Sequence, residues 1–246
     1  MTGTHSPAVP IGPDAPILEV MRTMRAMRRL RPDPVPDELL ATLIEAATWA
    51  PSGSNAQGFH FVVVTDRDRV ATVANLWHVV ATYYLDGIAR AVPPGSTEDK
   101  HEKLRQALRY QRDHFADTPA LIVACYDQGP YWAKLREQAR HISAATVRLG
   151  PRHAMTVLRN TARFTAMGEA ASIYPSIQNL LLAARAHGLG ATLTTWHQLL
   201  EPEFKAALDI PKRVNTYAIV PVGRPVGRLG PVTRRNAHDI IHRDRW

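Results

Sequence analysis

The sequence predicts an α+β domain in which a mixed central β-sheet is flanked by helices. Strand-like runs are few and far apart: residues 59–65 and 120–126 are β-branched, aromatic or uniformly apolar, and residues 191–195 and 217–222 repeat the signal. Longer stretches of helical character separate them, without the regular strand and helix alternation that a doubly wound dinucleotide fold needs. A chain of 246 residues, 45% hydrophobic and 21% charged, also suffices for one sizeable core in an ordinary globular protein.

Taken in order, residues 1–16 are polar, rich in proline and free of any apolar run, so a flexible tail is expected there rather than a secretory or spanning segment. Residues 17–29 set Ile17, Val20, Met21, Met24 and Met27 among Arg22, Arg25, Arg28 and Arg29, the pattern of a basic amphipathic helix. Pro32, Pro34 and Pro36 forbid its continuation, while Asp37 and Glu38 open a second helix that runs to about Trp49 and is ended by Pro51 and Gly53. The strands at 59–65 and 120–126 are expected to be interior ones, with helices over 70–91 and 99–116 between them, parted by the turn at Pro93, Pro94, Gly95 and Ser96. Residues 168–187 form a helix with Ile173, Ile177, Leu180, Leu181 and Ala184 on one face and Gly188 as its left-handed stop. A short helix over 202–208 precedes the last strand, and the segment after Gly223 is expected to be extended. The longest charge-free apolar run, residues 170–184, carries Pro175 and stops at Arg185, short of the roughly 20 residues that span a bilayer. A soluble, cytoplasmic protein with no membrane partner is expected.

Charge and motif content narrow the chemistry. A formal net charge of +8 suggests phosphate-bearing or acidic ligands without selecting one. Residues 131–164 are the most basic part, with Lys134, Arg136, Arg140, Arg148, Arg152, Arg159 and Arg163 against Glu137 alone. Apolar residues such as Leu135, Ile142 and Leu158 among them equally suit a docked helix whose arginines face water. A single cysteine, Cys125, excludes an intramolecular disulfide and any Cys-rich metal site. The sequence has no G-x-x-x-x-G-K-[ST] phosphate loop, no G-x-S-x-G elbow and no third glycine after Gly188 and Gly190. His238 and His242 stand at zinc-chelating spacing but have no third ligand nearby, so no metal is expected.

Two clusters remain. Arg22, Arg25, Arg28 and Arg29 lie in a stretch without acids, and guanidinium forks match phosphate oxygens, although a solvated helix face is the plainer account of arginines alone. The loop Pro51-Ser52-Gly53-Ser54-Asn55-Ala56-Gln57 offers uncharged donors and acceptors suited to the edge of a heteroaromatic ring; by itself it also serves as a helix stop. Together they supply a phosphate end and a ring end.

Here the residues carry a likeness. Arg25-Ala26-Met27-Arg28, Arg31 and its Pro-rich sequel, Ala47 through Gln57 and the strand from Phe61 resemble the N-terminal half of the nitroreductase family of FMN enzymes. Gln178-Asn179 with the following helix to Gly190, Leu208 through Pro211, Val222-Gly223-Arg224-Pro225 and Arg234-Arg235 resemble its C-terminal half, in the same order and spacing.

The resemblance implies a nitroreductase-like fold in an interlocked homodimer with FMN at each of two interface sites. It implies one FMN-binding domain over 17–225, with 131–164 as a basic lid or insertion and 226–246 completing the flavin site or the dimer. Carried over by position, Arg25, Arg28 and Arg234 grip the phosphate with Arg235 in reserve, and Ala26 lies in the same motif. Pro51, Ser52, Asn55 and Gln57 face the flavin, partly from the opposite subunit, and Thr194 and Thr195 fall where relatives place a hydrogen bond to flavin N5. Tyr131, Trp132 and Phe164 are the aromatics to examine for substrate stacking, core packing being their other use. Met24 and Ala26 replace an Arg and a Ser usual in the family, which removes two phosphate or ribityl contacts, and Gly58-Phe59 stands where Pro-Trp is usual.

The implied activity is reduction of nitroaromatics, quinones or similar electron-poor rings, with NAD(P)H as co-substrate and the flavin carrying the redox chemistry in a ping-pong cycle. Two alternatives stand beside it: an iodotyrosine deiodinase-like reductive dehalogenase on the same fold, and a non-catalytic basic protein that binds flavin or nucleic acid. No nucleic-acid-binding motif accompanies the charge.

Overall fold

The computed structural model describes Gly12 and residues 14–246, so the expected tail over residues 1–16 lies for the most part outside the described residues. In chain order, helices α1 (Ile17–Thr23) and α2 (Asp37–Thr48) lead to strand β1 (Phe59–Val64), and α3 (Arg67–Asp86) and α4 (Glu98–Asp113) lead to β2 (Ala120–Tyr126). Helices α5 (Gly129–Glu137), α6 (Ala139–Arg148) and α7 (Gly150–Ala186) then precede β3 (Gly190–Ala191), and α8 (Glu201–Ala207) precedes β4 (Asn215–Gly223).

The α+β class holds, with one correction. The sheet, in order β1-β2-β4-β3, is antiparallel at every pairing among the described residues rather than mixed. Two helices, α3 and α4, packed on each other, connect β1 to β2, and three reversals return the chain antiparallel where a single crossover helix, with two, gives a parallel pair.

Alternation along β2 builds the core. Ala120, Ile122, Ala124 and Tyr126 pack with α2 and α7, while Leu121, Val123 and Cys125 pack with α3 and α8. Both faces are covered, which is why β2 reads as a continuous apolar run. β1 lies at the sheet edge with His60 and Val63 exposed, so its aromatic and β-branched content did not signal an interior strand.

Two further expectations are corrected. The helix expected over 17–29 ends at Thr23, and Met24 is extended with ψ 123°. Arg185 Nε donates to Thr23 Oγ1 at 2.9 Å, and beyond it the chain pairs with the sheet, Met27 N–H donating to Ala191 O at 3.1 Å and Leu30 bridging Pro225. Sheet-edge hydrogen bonds and burial of Met27 outweigh the helical propensity of this stretch. Conversely, the helix expected from 168 begins at Gly150, so the basic segment 131–164 comprises α5, α6 and the first turns of α7. Gly188 ends that helix at φ 73°, as expected.

Candidate functional site

The N-terminal arginines and the C-terminal segment, far apart in sequence, run side by side. Arg31 N–H donates to Arg224 O at 2.8 Å, Val226 N–H to Arg29 O at 3.0 Å, and Val232 N–H to Arg22 O at 3.0 Å. This ladder brings the backbone that carries Arg234 and Arg235 to the segment that carries Arg25, Ala26 and Arg28. Arg25, Ala26, Arg234 and Arg235 are exposed; among the described residues Arg234 donates only to the neighbouring Thr233 carbonyl.

Arg28 differs from its neighbours. It is half-buried and takes part in no ion pair among the described residues, and burial pulls its guanidinium below the ordinary value. A desolvated, uncompensated cation is costly unless a ligand completes it. Arg28 lines two adjoining cavities, of about 320 and 230 Å³, and the smaller one also holds Thr192, Thr194 and Thr195. Thr194 is fixed by a reciprocal backbone pair with Ile219, N to O at 3.0 and 2.9 Å. The wall behind is aromatic: Trp196 stacks between Trp77 and Tyr84, at ring separations of 5.0 and 4.1 Å.

The loop from Pro51 is backbone-strained. Ser54, Asn55 and Gln57 all adopt left-handed conformations, at φ 53°, 53° and 48°. Non-glycine residues there cost of order 1–3 kcal/mol each and persist where surrounding structure imposes them. Gln57 N–H donates to Ser52 Oγ at 3.0 Å and Gly53 N–H to Ser172 Oγ at 3.1 Å, which anchors the loop to α7. Gly58 follows: a Cβ there would lie 2.7 Å from the Tyr126 ring and 2.8 Å from Asp127 O, so only glycine fits at this close approach.

A third cavity, of about 400 Å³, gathers Gly53, Ser54 and Gln57 with Tyr131, Trp132 and Phe164 from α5 and α7, and with Gly168 and Ser172 at its base. It shares no residue with the cavity of Arg28, Thr194 and Thr195. The predicted residues therefore form two separate groups in one chain. Pro51, Ser52 and Asn55 belong to the loop but do not line that third cavity.

Several residues at these sites escaped the sequence reading. Trp77, Tyr84 and Gln111 complete the Arg28 cavity, and nothing local in α3 or α4 marks them. Glu169 is buried on α7, where its Oε2 accepts from Asn215 Nδ2 at 2.7 Å and from the Tyr217 hydroxyl. Burial and the Glu169 hydrogen bond push the Tyr217 phenol well above its ordinary value, so it stays a donor. Its signal was available: Glu169 is the lone acid between Glu137 and Glu201.

A model of the nitroreductase family matches residues 21–224. The chain belongs to the nitroreductase family. Family members are oxidoreductases, and the solved structures similar to this nitroreductase-family chain share its α+β fold. It is 28% identical, over 87% of each chain, to a 5,6-dimethylbenzimidazole synthase from Rhodospirillum rubrum. Among solved structures, iodotyrosine deiodinase bound to FMN and 3-iodo-L-tyrosine matches with a TM-score of 0.64 at 17% identity, covering 94% of this chain and 100% of that one. The NADPH:FMN oxidoreductase from Vibrio harveyi complexed with NAD+ matches at 0.59 and 20% identity, covering 94% and 77%. No helix among the described residues of this nitroreductase-family protein is long and apolar enough to cross a membrane.

The donor set fits an anionic, hydrogen-bonding ligand such as FMN: a guanidinium in no ion pair among the described residues and threonine hydroxyls share one cavity, and further arginines lie along the adjoining chain.

Proposed function

We propose that this chain is a cytoplasmic FMN-dependent oxidoreductase that uses NAD(P)H to reduce electron-poor aromatics such as nitroaromatics and quinones, as a homodimer whose sites combine groups from both subunits. The observation that carries this reading is Arg28, desolvated and in no ion pair among the described residues, in one cavity with Thr194 and Thr195. FMN, when bound, supplies hydride acceptance and donation at its ring.

The chain's own groups bind and orient. Arg25, Arg28 and Arg234, with Arg235 beside them, neutralise the phosphate, and the Ala26 position leaves that contact to its neighbours. Thr194 and Thr195 offer hydroxyl donors at the ring. Pro51, Ser52, Asn55 and Gln57, set in a loop anchored to α7, meet the cofactor from the other subunit, which accounts for their separation from Arg28 within one chain. Tyr131, Trp132 and Phe164 form an apolar wall on which NAD(P)H and the acceptor stack in turn, keeping water from the reacting face.

The test is the visible spectrum of the purified protein before and after anaerobic NADPH. Flavin bands near one per chain that bleach on addition are expected; a colourless protein that takes up no FMN overturns the reading.

A second reading follows from the 28% identity with the Rhodospirillum rubrum synthase: the chain forms 5,6-dimethylbenzimidazole. Appearance of that product in aerobic incubations of the flavin-loaded, NADPH-supplied protein, without turnover of added nitroaromatics, decides for it.

A further inference from the structure

Glu169 is 5% exposed, and its carboxylate is only half satisfied. Oε2 accepts from Asn215 Nδ2 and from the Tyr217 hydroxyl, whereas Oε1 has no partner among the described residues and no Lys, Arg or His pairs with it. A buried carboxylate held by two neutral donors is costly without a counter-charge.

The arrangement is built by the sheet. Between β2 and β4 the register steps from Ala124 opposite Ala218 to Cys125 opposite Thr216, which leaves Tyr217 unpaired in a bulge. A bulge re-aims its side chain, so Tyr217 and Ala218, consecutive in sequence, both pack on the α7 side. Tyr174 meets the Tyr217 ring edge-on, at 5.8 Å, and steadies it.

Glu169, Asn215 and Tyr217 form the polar end of a cavity of about 620 Å³ whose other walls are Trp132, Leu158, Ala162 and Ala166 with Thr161 and Thr165. Trp132, Thr161 and Thr165 also line the cavity that holds the strained loop, so the two make one cleft, aromatic in its middle and acidic at one end. The arginines and lysine of residues 131–164 are exposed, where salt screens them, and none reaches Glu169.

We propose that this cleft takes an aromatic ligand bearing a protonated amine, with the ammonium on the free oxygen of Glu169 and the ring against Trp132. Resting on the oxidoreductase function proposed above, the inference makes the preferred acceptor a cationic aromatic one. A charge-assisted hydrogen bond to a carboxylate that is itself buried separates such a ligand from its neutral isostere by about tenfold or more.

The test is calorimetric titration of the FMN-supplemented protein with 4-nitrobenzylamine and with 4-nitrobenzyl alcohol, alongside its visible spectrum. The amine is expected to bind at least about tenfold more tightly, and Glu169→Gln is expected to abolish the preference while leaving flavin content unchanged. Equal affinities in the unaltered protein, or a preference that survives Glu169→Gln, overturn the inference. Should Glu169→Gln fail to fold, Thr165→Lys places a tethered ammonium in the cleft and is expected to suppress amine binding selectively; undiminished amine binding there also overturns it. A yellow protein without the preference refutes this inference alone, and a colourless one that keeps it refutes the oxidoreductase reading alone.

Discussion

The Gly53 N–H donates to Ser172 Oγ at 3.1 Å, and the Ser172 hydroxyl donates in turn to Gly168 O at 2.9 Å. One side chain in the middle of α7 thus anchors a loop in which three residues hold left-handed conformations. Ser172→Ala leaves the Gly53 N–H without that partner, at a cost of about 1 kcal/mol. A lower urea midpoint and weaker FMN affinity are the expected outcome, and unchanged values for both mean that the loop holds its conformation without the anchor.

Arg28 and Arg25 separate by burial. Arg28→Ala removes the desolvated guanidinium and is expected to weaken FMN binding by about tenfold or more. The exposed Arg25 loses less on the same truncation, because solvent screens its contribution. Fluorescence titration of the apoprotein with FMN ranks the two; an equal loss contradicts the assignment of Arg28 as the principal contact.

Gly58→Ala puts a methyl group 2.7 Å from the Tyr126 ring, on the short link between the loop and β1. Overpacking of this kind costs roughly 1–3 kcal/mol. The change is expected to lower the thermal midpoint, and Gly58→Pro is expected to lower it further. A midpoint at or above that of the unaltered protein contradicts the close approach.

His197 is fully buried, with Nε2 3.1 Å from Thr216 Oγ1 and no partner for Nδ1 among the described residues. Burial lowers its pKa to about 4, against a nearby Glu201 that acts to raise it. The unfolded chain therefore binds this proton first as pH falls. Stability contributed by neutral His197 is present above about pH 6.5 and is lost progressively down to about pH 4, on the order of 3 kcal/mol in all. Chemical denaturation at pH 7 and pH 5 reads the slope, and His197→Gln is expected to flatten it.

Cys125 lies on β2 with burial pushing its thiol up to about 12. No thiolate forms at neutral pH, so a disulfide-exchange reagent is expected to label it only on unfolding. Rapid labelling of the native protein would contradict this placement of β2.

Much of this architecture was legible in the sequence. Residues 120–126 are β2 to the residue, because a strand covered on both faces is apolar at every position. The helix from Asp37 was marked by its acidic first turn and by the prolines before it. Legibility failed where distant backbone competed with local preference. Arg25 to Arg29 have helical periodicity, yet Ala191, Arg224 and Pro225 draw them into an extended run along the sheet edge. At the candidate sites, Arg28, Gln57 and the aromatics of α5 and α7 were named from residue type and order and Thr194 from the family resemblance, but Glu169 was overlooked, since a lone acid acquires meaning only when its surroundings are dry.

By itself the sequence determined the family, the α+β class, much of the succession of elements and the residue types suited to a phosphate and a ring, because periodicity, turn chemistry and motif spacing are local properties of a chain. Only the tertiary structure decided that every sheet pairing described is antiparallel, that the bulge at Tyr217 points its hydroxyl to Glu169, and that Arg28 and the Pro51 loop occupy different cavities of the chain. Those are consequences of which surfaces exclude water together, and burial is a property of the packed molecule that no single stretch of sequence contains.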